Sequence, residues 1–186
     1  PGDFDAKKGL LERIAATLKF GPSVLGGVPV ETLAASATWT VDVLGLLSMD
    51  VSNLWPVNYE RPDHLADEDP LVLELSEVGY NGFVHVYSYG VDAGTRSVDV
   101  AAEWVKIFFN GFPEMALAEP VRPRSIGGRD AASVVMVRRD PGGSWGEYLT
   151  AIVAGENAHV IRVLYRAEGF EARRPIFDRW LESVRV

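Results

Sequence analysis

The sequence contains no cysteine among its 186 residues. A disulfide framework, a thiol nucleophile, a zinc knuckle and an iron–sulfur cluster are therefore excluded. Its three histidines, His64, His85 and His159, lack the i,i+2 or i,i+4 spacing that directs two neighbouring imidazoles to one metal ion. No apolar run approaches the roughly 18 residues that cross a bilayer. These absences remove several kinds of site and leave a single water-soluble core as the expectation.

Basic residues are also scarce. Lys and Arg number 18 against 26 Asp and Glu, which gives a formal net charge of -8 at pH 7. Nucleic-acid binding depends on clustered Lys and Arg that neutralise phosphates, so we expect no nucleic-acid partner. The excess of acidic residues lies in residues 1–120, whereas the arginine-rich residues 121–186 carry a small positive net charge.

The chain is predicted to have two parts. Residues 1–30 form an N-terminal helix and a connector, because Leu10, Ile14 and Leu18 recur at helical spacing before Gly21-Pro22. Residues 31–186 are predicted to be one domain, which is an ordinary length for a single core. The sequence begins with proline, so a precursor whose signal peptide lies outside it is one expectation, and an exported location stays open.

The body is predicted to be an antiparallel sheet covered by helices. Alternating apolar and polar residues predict six strands, at residues 38–44, 71–77, 83–89, 132–139, 145–153 and 158–165. Asn81-Gly82 is the predicted turn between the second and third of these strands. Helical periodicity predicts one helix at 97–110, capped by Ser97, and a last helix that begins at Pro175. Strands without regular βαβ alternation indicate an α+β fold, an αβα sandwich with an extra N-terminal helix.

One segment matches a catalytic motif. Residues 142–146 read Gly-Gly-Ser-Trp-Gly, the G-x-S-x-G pattern of a hydrolase nucleophile elbow. Such an elbow needs a helix directly after the serine, whereas Ser144 leads into an alternating strand. We therefore interpret Ser144 as a turn residue and predict no catalytic residue.

The densest group of carboxylates lies at residues 60–69. Oxygen ligands of this kind suit hard cations such as Ca²⁺, but the D-x-D-x-D-G spacing of a calcium loop is missing. A solvated acidic loop is the better interpretation. The sequence predicts no cofactor and no metal site.

A partner-binding surface is predicted just before and within this acidic loop. Trp55 and Tyr59 lie in a stretch that resembles a loop, where exposed aromatic side chains supply anchors for a partner. Carboxylates add electrostatic steering. The predicted contact residues are Trp55, Tyr59, Asp63, Asp67, Glu68 and Asp69.

The order of elements and a few local patterns resemble one known family. The patterns are the extended pair ending at 82–89, the helix 97–110, the turn 126–132 before a three-strand meander, and the closing segment 177–184. From about Trp39 onward the chain resembles the PsbP/Mog-type superfamily, which includes many small bacterial lipoproteins and secreted proteins. The helix at residues 5–19 departs from that pattern.

The resemblance implies a non-catalytic αβα-sandwich protein that binds another protein. It further implies a bacterial exported or envelope-associated accessory protein, with any lipid anchor outside this chain. A small-ligand or divalent-metal-binding protein is the alternative, because some PsbP proteins associate with metals. A serine hydrolase centred on Ser144 ranks third. Fold does not determine function, so the partner stays unidentified.

Overall fold

The computed structural model describes residues 27–60 and 70–186. The predicted helix at 5–19 and the acidic positions Asp63, Asp67, Glu68 and Asp69 lie outside these residues. Within them the chain forms three helices and nine strands. In order, the elements are α1 (Val30–Ala35), β1 (Thr38–Val43), β2 (Leu47–Ser52), β3 (Val57–Glu60), β4 (Leu71–Ser76), β5 (Gly82–Gly90), α2 (Ser97–Gly111), β6 (Met115–Ile126), β7 (Arg129–Asp140), β8 (Gly143–Ala154), β9 (Asn157–Arg166) and α3 (Ala167–Glu182).

Seven of the strands form one sheet, in the order β3-β4-β5-β9-β8-β7-β6. Every neighbouring pair is antiparallel. Strands β7, β8 and β9 form a meander through turns at Pro141-Gly142 and Gly155-Glu156, and positive φ occurs at Gly143 and Gly155. Strands β1 and β2 form a separate hairpin. The predicted α+β sandwich is confirmed.

Each face of the sheet has its own core. On one face α3, the β1–β2 hairpin and α1 bury a cluster that includes Trp55, Phe177 and Trp180. On the other face α2 buries a smaller cluster that includes Trp104 and Phe108. The layers are therefore helix, sheet, and helix with hairpin. None of the helices among the described residues has the length and apolar character needed to cross a membrane.

The last helix begins earlier than predicted. It starts at Ala167, so Pro175 lies inside it rather than in its first turn. Proline removes one backbone hydrogen bond there. The two turns before it are held by packing, since Phe170 and Arg173 are buried against the sheet. Tertiary contacts outweigh the local preference of proline.

Two local predictions in the middle of the chain were wrong. The β4–β5 turn places Gly79 and Tyr80 at positive φ, whereas Gly82 already pairs with Tyr165 in the sheet. Ser97 is the first residue of α2 and has no capping role. Its backbone N–H instead donates to the Asp130 carboxylate of β7 at 2.8 Å.

Three strands were missed by the sequence analysis, namely β2, β3 and β6. Strand β6 carries Pro120 and Pro123, which cannot donate backbone hydrogen bonds. It is tolerated because it is an edge strand with irregular register against β7. Strand β3 is the opposite edge and only four residues long. Short or proline-bearing edge strands give little period-two signal.

Removal of residues 1–20 is expected to leave a cooperatively folded body. Among the described residues, both cores are built from side chains at position 28 and beyond. Thermal unfolding of the truncated chain should remain a single transition that near-UV circular dichroism and intrinsic fluorescence report at the same midpoint. Loss of cooperativity would mean that the segment belongs to the core of the domain.

Candidate functional site

Helix α2 covers only part of its face of the sheet. Its buried side chains pack over Val134, Met136, Leu149 and neighbouring small residues. Next to its C-terminal end, β4, β5, β7, β8 and β9 leave an open cavity of about 300 Å³. We call this region the open face. Its lining residues are Glu74, Phe83, His85, Arg138, Trp145, Arg162 and Leu164.

A buried carboxylate holds the two arginines of the open face. Glu147 of β8 is completely buried between β7 and β9. Arg162 donates from Nε and Nη2 to one Glu147 oxygen, at 2.9 and 2.6 Å. Arg138 Nη1 lies 3.6 Å from the other oxygen. The three side chains meet because their strands are adjacent and all three point to the same face of the sheet.

The guanidinium groups of Arg138 and Arg162 each pack against the face of an aromatic ring. Arg162 lies 4.3 Å from the ring centre of Phe108, and Arg138 lies 4.6 Å from that of Phe112. Both rings stand at the C-terminal end of α2 or just after it. Such cation–π contacts strengthen when the cation is desolvated. The network therefore fixes the end of α2 against the sheet and sets the border of the open face.

His85 forms the opposite wall of this cavity. Its Nε2 donates to Glu74 at 2.9 Å, and its Nδ1 lies 3.4 Å from the Tyr87 hydroxyl. Burial, followed by the positive charge of Arg162, lowers the His85 pKa below its usual value, and Glu74 opposes this shift. The lowered pKa favours the neutral form of His85, which acts as a packed, hydrogen-bonded side chain.

An aromatic row runs from the open face to the tip of the β4–β5 turn. Trp145, Phe83 and Tyr80 follow one another with ring centres 6.2 and 6.4 Å apart. Tyr80 is 64% exposed, and Val78 in the same turn is 57% exposed. Tyr80 also has φ of +58°, which is uncommon for a residue other than glycine. A strained backbone that presents a large exposed ring is typical of a functional position rather than of a core position.

The structure does not place Trp55 on the surface. Trp55 is 0% exposed and packs against Trp180 at 5.2 Å and Phe177 at 6.2 Å between ring centres. The prediction of an exposed anchor at Trp55 was therefore wrong. The apolar ring is taken up by the core between the sheet and α3, although the segment around it has no regular secondary structure.

The other predicted contact positions stay predictions. Tyr59 lies in strand β3 rather than in a loop. Asp63, Asp67, Glu68 and Asp69 fall outside the described residues. Among the residues that the structure does describe, no group of three or more His, Asp or Glu side chains is arranged to hold a metal ion.

The environment of Ser144 is that of a strand. Ser144 is the second residue of β8 and pairs with Arg139 of β7. No helix follows it, so the backbone arrangement of a nucleophile elbow is missing here. His159 is buried in β9, where its Nδ1 lies 3.1 Å from the Ser88 hydroxyl.

The sequence analysis overlooked the charged part of the open face. Arg162 and Glu147 each interrupt an apolar strand, and each points to the buried side. A charged residue at an inward position needs an opposite charge nearby, because an unpaired buried charge is very costly. The sequence already showed a charged residue inside each of these apolar strands. It did not show which opposite charge each one pairs with, because that depends on the register between strands.

Solved structures share this fold at low sequence identity. The solution structure of cyanobacterial PsbP from Synechocystis sp. PCC 6803 has a TM-score of 0.62 and 9% identity, covering 81% of this chain and 93% of that one. LpqN, involved in cell envelope biogenesis of Mycobacterium tuberculosis, has a TM-score of 0.50 and 9% identity, covering 81% and 85%. A Bacteroides thetaiotaomicron protein has a TM-score of 0.51 and 12% identity, covering 81% of this chain and 48% of that one.

No family model and no curated protein matches the sequence. The structural likeness nevertheless defines the class: the chain has the PsbP-like fold. The resemblance stated from its sequence is confirmed at this level. At 9% identity to the PsbP structure, the likeness shows the fold and leaves the function to be argued from the side chains.

Proposed function

We propose that this chain is a non-catalytic protein-binding domain of a bacterial cell envelope, and that its contact surface is the open face together with the aromatic row. The observation that carries the proposal is Tyr80, an exposed ring held on a strained turn. Tyr, Trp and Arg are the residues most often found as energetic anchors in protein interfaces. Tyr80, Trp145 and Arg138 supply all three within one surface.

The open face favours an apolar anchor from the partner. The arginines in and beside the cavity, Arg138, Arg162 and Arg166, are balanced by three carboxylates, Glu74, Glu147 and Asp140. Because the open face carries little net charge, electrostatic steering contributes little to the association rate. Binding to this surface should therefore depend only weakly on salt, unlike binding to the acidic residues first predicted.

The envelope location rests on the fold. The chain shares its fold with LpqN, which is involved in cell envelope biogenesis. An exported accessory protein also agrees with the resemblance stated from the sequence. Fractionation of cells that express the full-length gene product tests this part separately from binding.

The double substitution Tyr80→Ala and Trp145→Ala is expected to abolish capture of the partner. Each anchor typically contributes about 2 kcal/mol to an interface, so the purified complex should weaken by roughly 30-fold per residue. The measurement is quantitative mass spectrometry of crosslinked material from source cells, followed by titration of the purified partner. Unchanged thermal midpoints of unfolding confirm that the variant is folded.

The matched control replaces Ile107 and Phe109 with alanine. Both are exposed on α2, at 53% and 38%, and neither lines the open face. Partners that survive in this control and vanish in the Tyr80 and Trp145 variant use the proposed surface. A partner retained equally by both variants would show that binding occurs elsewhere. Absence of any specifically crosslinked protein would contradict the protein-binding function itself.

A further inference from the structure

A small polar cavity lies on the opposite face of the sheet from the open face. Its volume is about 240 Å³, and β6, β7, β8 and α3 border it. The ring of Tyr148, a residue of β8 that is 4% exposed, lines its buried side. Three arginines also line it, namely Arg122 and Arg124 of β6 and Arg174 of α3. We call this region the arginine cavity.

The hydroxyl of Tyr148 holds one of these arginines in place. It accepts a hydrogen bond from Arg124 Nη1 at 2.7 Å and donates one to Asp178 of α3 at 2.7 Å. Arg124 Nη1 also lies 3.6 Å from the same Asp178 oxygen. Burial, followed by the hydrogen bond to Asp178, raises the pKa of Tyr148, so the hydroxyl keeps its proton. The guanidinium of Arg124 is therefore fixed at the wall of the cavity.

One carboxylate of the chain lies among the arginines. Glu119 accepts a hydrogen bond from Arg174. That hydrogen bond, followed by the positive charges of Arg174 and Arg122, holds the pKa of Glu119 below its usual value, while burial opposes the shift. The arginine cavity therefore stabilises a negatively charged oxygen group.

The carboxylate of Glu119 can leave the cavity at little cost. The register of β6 against β7 shifts between Leu117 and Glu119 and again between Glu119 and Arg122. Pro120, the next residue, has no N–H that could donate to the sheet. The Glu119 side chain is 31% exposed, so it can turn into solvent without becoming a buried, unpaired charge. Exchange with an anion from solution therefore leaves the sheet intact.

Positive charge exceeds negative charge in the lining of the cavity. Glu119 is the one acidic residue among the described residues that line it, against three arginines. Outside the lining, Asp178 and Glu171 each pair with one of the other two arginines. Arg122 is exposed, and none of the ion pairs among the described residues includes it. Its guanidinium is therefore the one most available to an anion from solution.

We propose that the arginine cavity binds a phosphate group, which takes the place of the Glu119 carboxylate beside Arg122 and Arg174. Guanidinium groups donate paired hydrogen bonds that match the oxygens of phosphate. A phosphate monoester carries a charge of about −1.5 to −2 at pH 7, so it competes for the arginines better than a single carboxylate does. This inference concerns another surface and does not rest on the proposed function.

The size of the cavity limits the ligand to one anionic group. Pockets that enclose a drug-sized molecule measure roughly 300 to 1,000 Å³. The arginine cavity is smaller, at about 240 Å³, so the rest of a larger ligand would stay outside it. A soluble phosphate compound and a phospholipid head group share this chemistry.

Titration of the full-length chain with inorganic phosphate, at neutral pH and constant ionic strength, tests the site. The NMR signals of the Nε–H groups of Arg122, Arg124 and Arg174 should shift saturably. Arg122→Gln should weaken binding by about tenfold or more, because it removes a charge-assisted hydrogen-bonding group. Glu119→Gln should strengthen binding by roughly threefold, because phosphate no longer competes with the ion pair to Arg174. Unchanged thermal midpoints of unfolding confirm that both variants are folded.

The matched control is Arg139→Gln, which removes the same charge from an exposed arginine of β7 outside the cavity lining. Its affinity for phosphate should stay within about twofold of wild type, because salt screens distant surface charges. Equal weakening by Arg122→Gln and Arg139→Gln would overturn the cavity as the site. Absence of saturable shifts, weaker binding to Glu119→Gln, or equal affinity for acetate would each overturn the phosphate assignment.

Flotation with lipid vesicles distinguishes the two sources of the phosphate group. The vesicles contain phosphatidylcholine with or without phosphatidic acid. Flotation that requires phosphatidic acid and is lost in Arg122→Gln assigns the cavity to a lipid head group. Saturable binding of inorganic phosphate without flotation assigns it to a soluble phosphate compound, and failure of both overturns the proposal. Partner capture through the open face should be the same for Arg122→Gln and wild type, so failure of one proposal is distinguishable from failure of the other.

Discussion

Replacing Glu147 with alanine is expected to lower the free energy of unfolding by about 3 to 5 kcal/mol. The substitution leaves Arg162, which is 6% exposed, with no acceptor for its Nε and Nη2 hydrogens. It also removes the carboxylate that faces Arg138 at 3.6 Å. Urea denaturation of wild type and variant measures the difference at a constant m value.

The control for this prediction is Glu119→Ala, which removes a carboxylate near the surface. Glu119 pairs with Arg174, and the side chains of the two residues are 31% and 25% exposed. Pairs open to solvent contribute about 1 kcal/mol or less. If both substitutions cost the same, the Glu147 network is no stronger than a surface ion pair. The open face would then lack its rigid border.

Replacing Trp55 with alanine is expected to cost about 3 to 5 kcal/mol of stability. The indole is fully buried and packs against three aromatic residues, Tyr165, Phe177 and Trp180. Truncation leaves a cavity between the sheet and α3, and the surrounding rings relax only in part. Differential scanning calorimetry should show a lower midpoint together with a reduced enthalpy of unfolding.

The comparison variant for Trp55 is Tyr80→Ala, which should change stability by less than about 1 kcal/mol, since Tyr80 is 64% exposed. Trp55 thus belongs to the core, and Tyr80 takes the exposed position that the sequence had suggested for Trp55. Trp55→Ala is expected to act on folding, and Tyr80→Ala on binding. A stable Trp55→Ala variant with weakened partner binding would restore the original interpretation.

Much of the fold could be read from local patterns. Strands β5, β7, β8 and β9 were predicted within a few residues, because each alternates over many residues and ends at glycine-rich turns. The helix at 97–110 was predicted almost to its end, because its apolar residues recur at helical spacing, and Val100, Trp104 and Phe108 are buried on one side of it.

The candidate site was predictable only in part. Tyr80, Phe83 and Trp145 were not among the contact residues predicted from the sequence. Tyr80 was expected before an Asn81-Gly82 turn, whereas the turn lies at Gly79 and Tyr80 itself. The hydrogen bond from Asn81 to the Gly79 carbonyl, at 3.2 Å, helps to fix this turn. Either Gly79-Tyr80 or Asn81-Gly82 could form the turn, and the register between β4 and β5 selects the first.

The amino-acid sequence alone determined the fold class, the antiparallel meander and the exclusion of cysteine chemistry, because these follow from period, turn residues and composition. Only the tertiary structure decided which charged strand residues meet and which aromatic residues stay exposed. Glu147, Arg138 and Arg162 come together through the pairing of β7, β8 and β9. Trp55 is buried and Tyr80 is exposed because α3 packs over one ring, whereas no helix among the described residues covers the other. Burial depends on what packs against a residue, and distant segments of the chain supply those contacts.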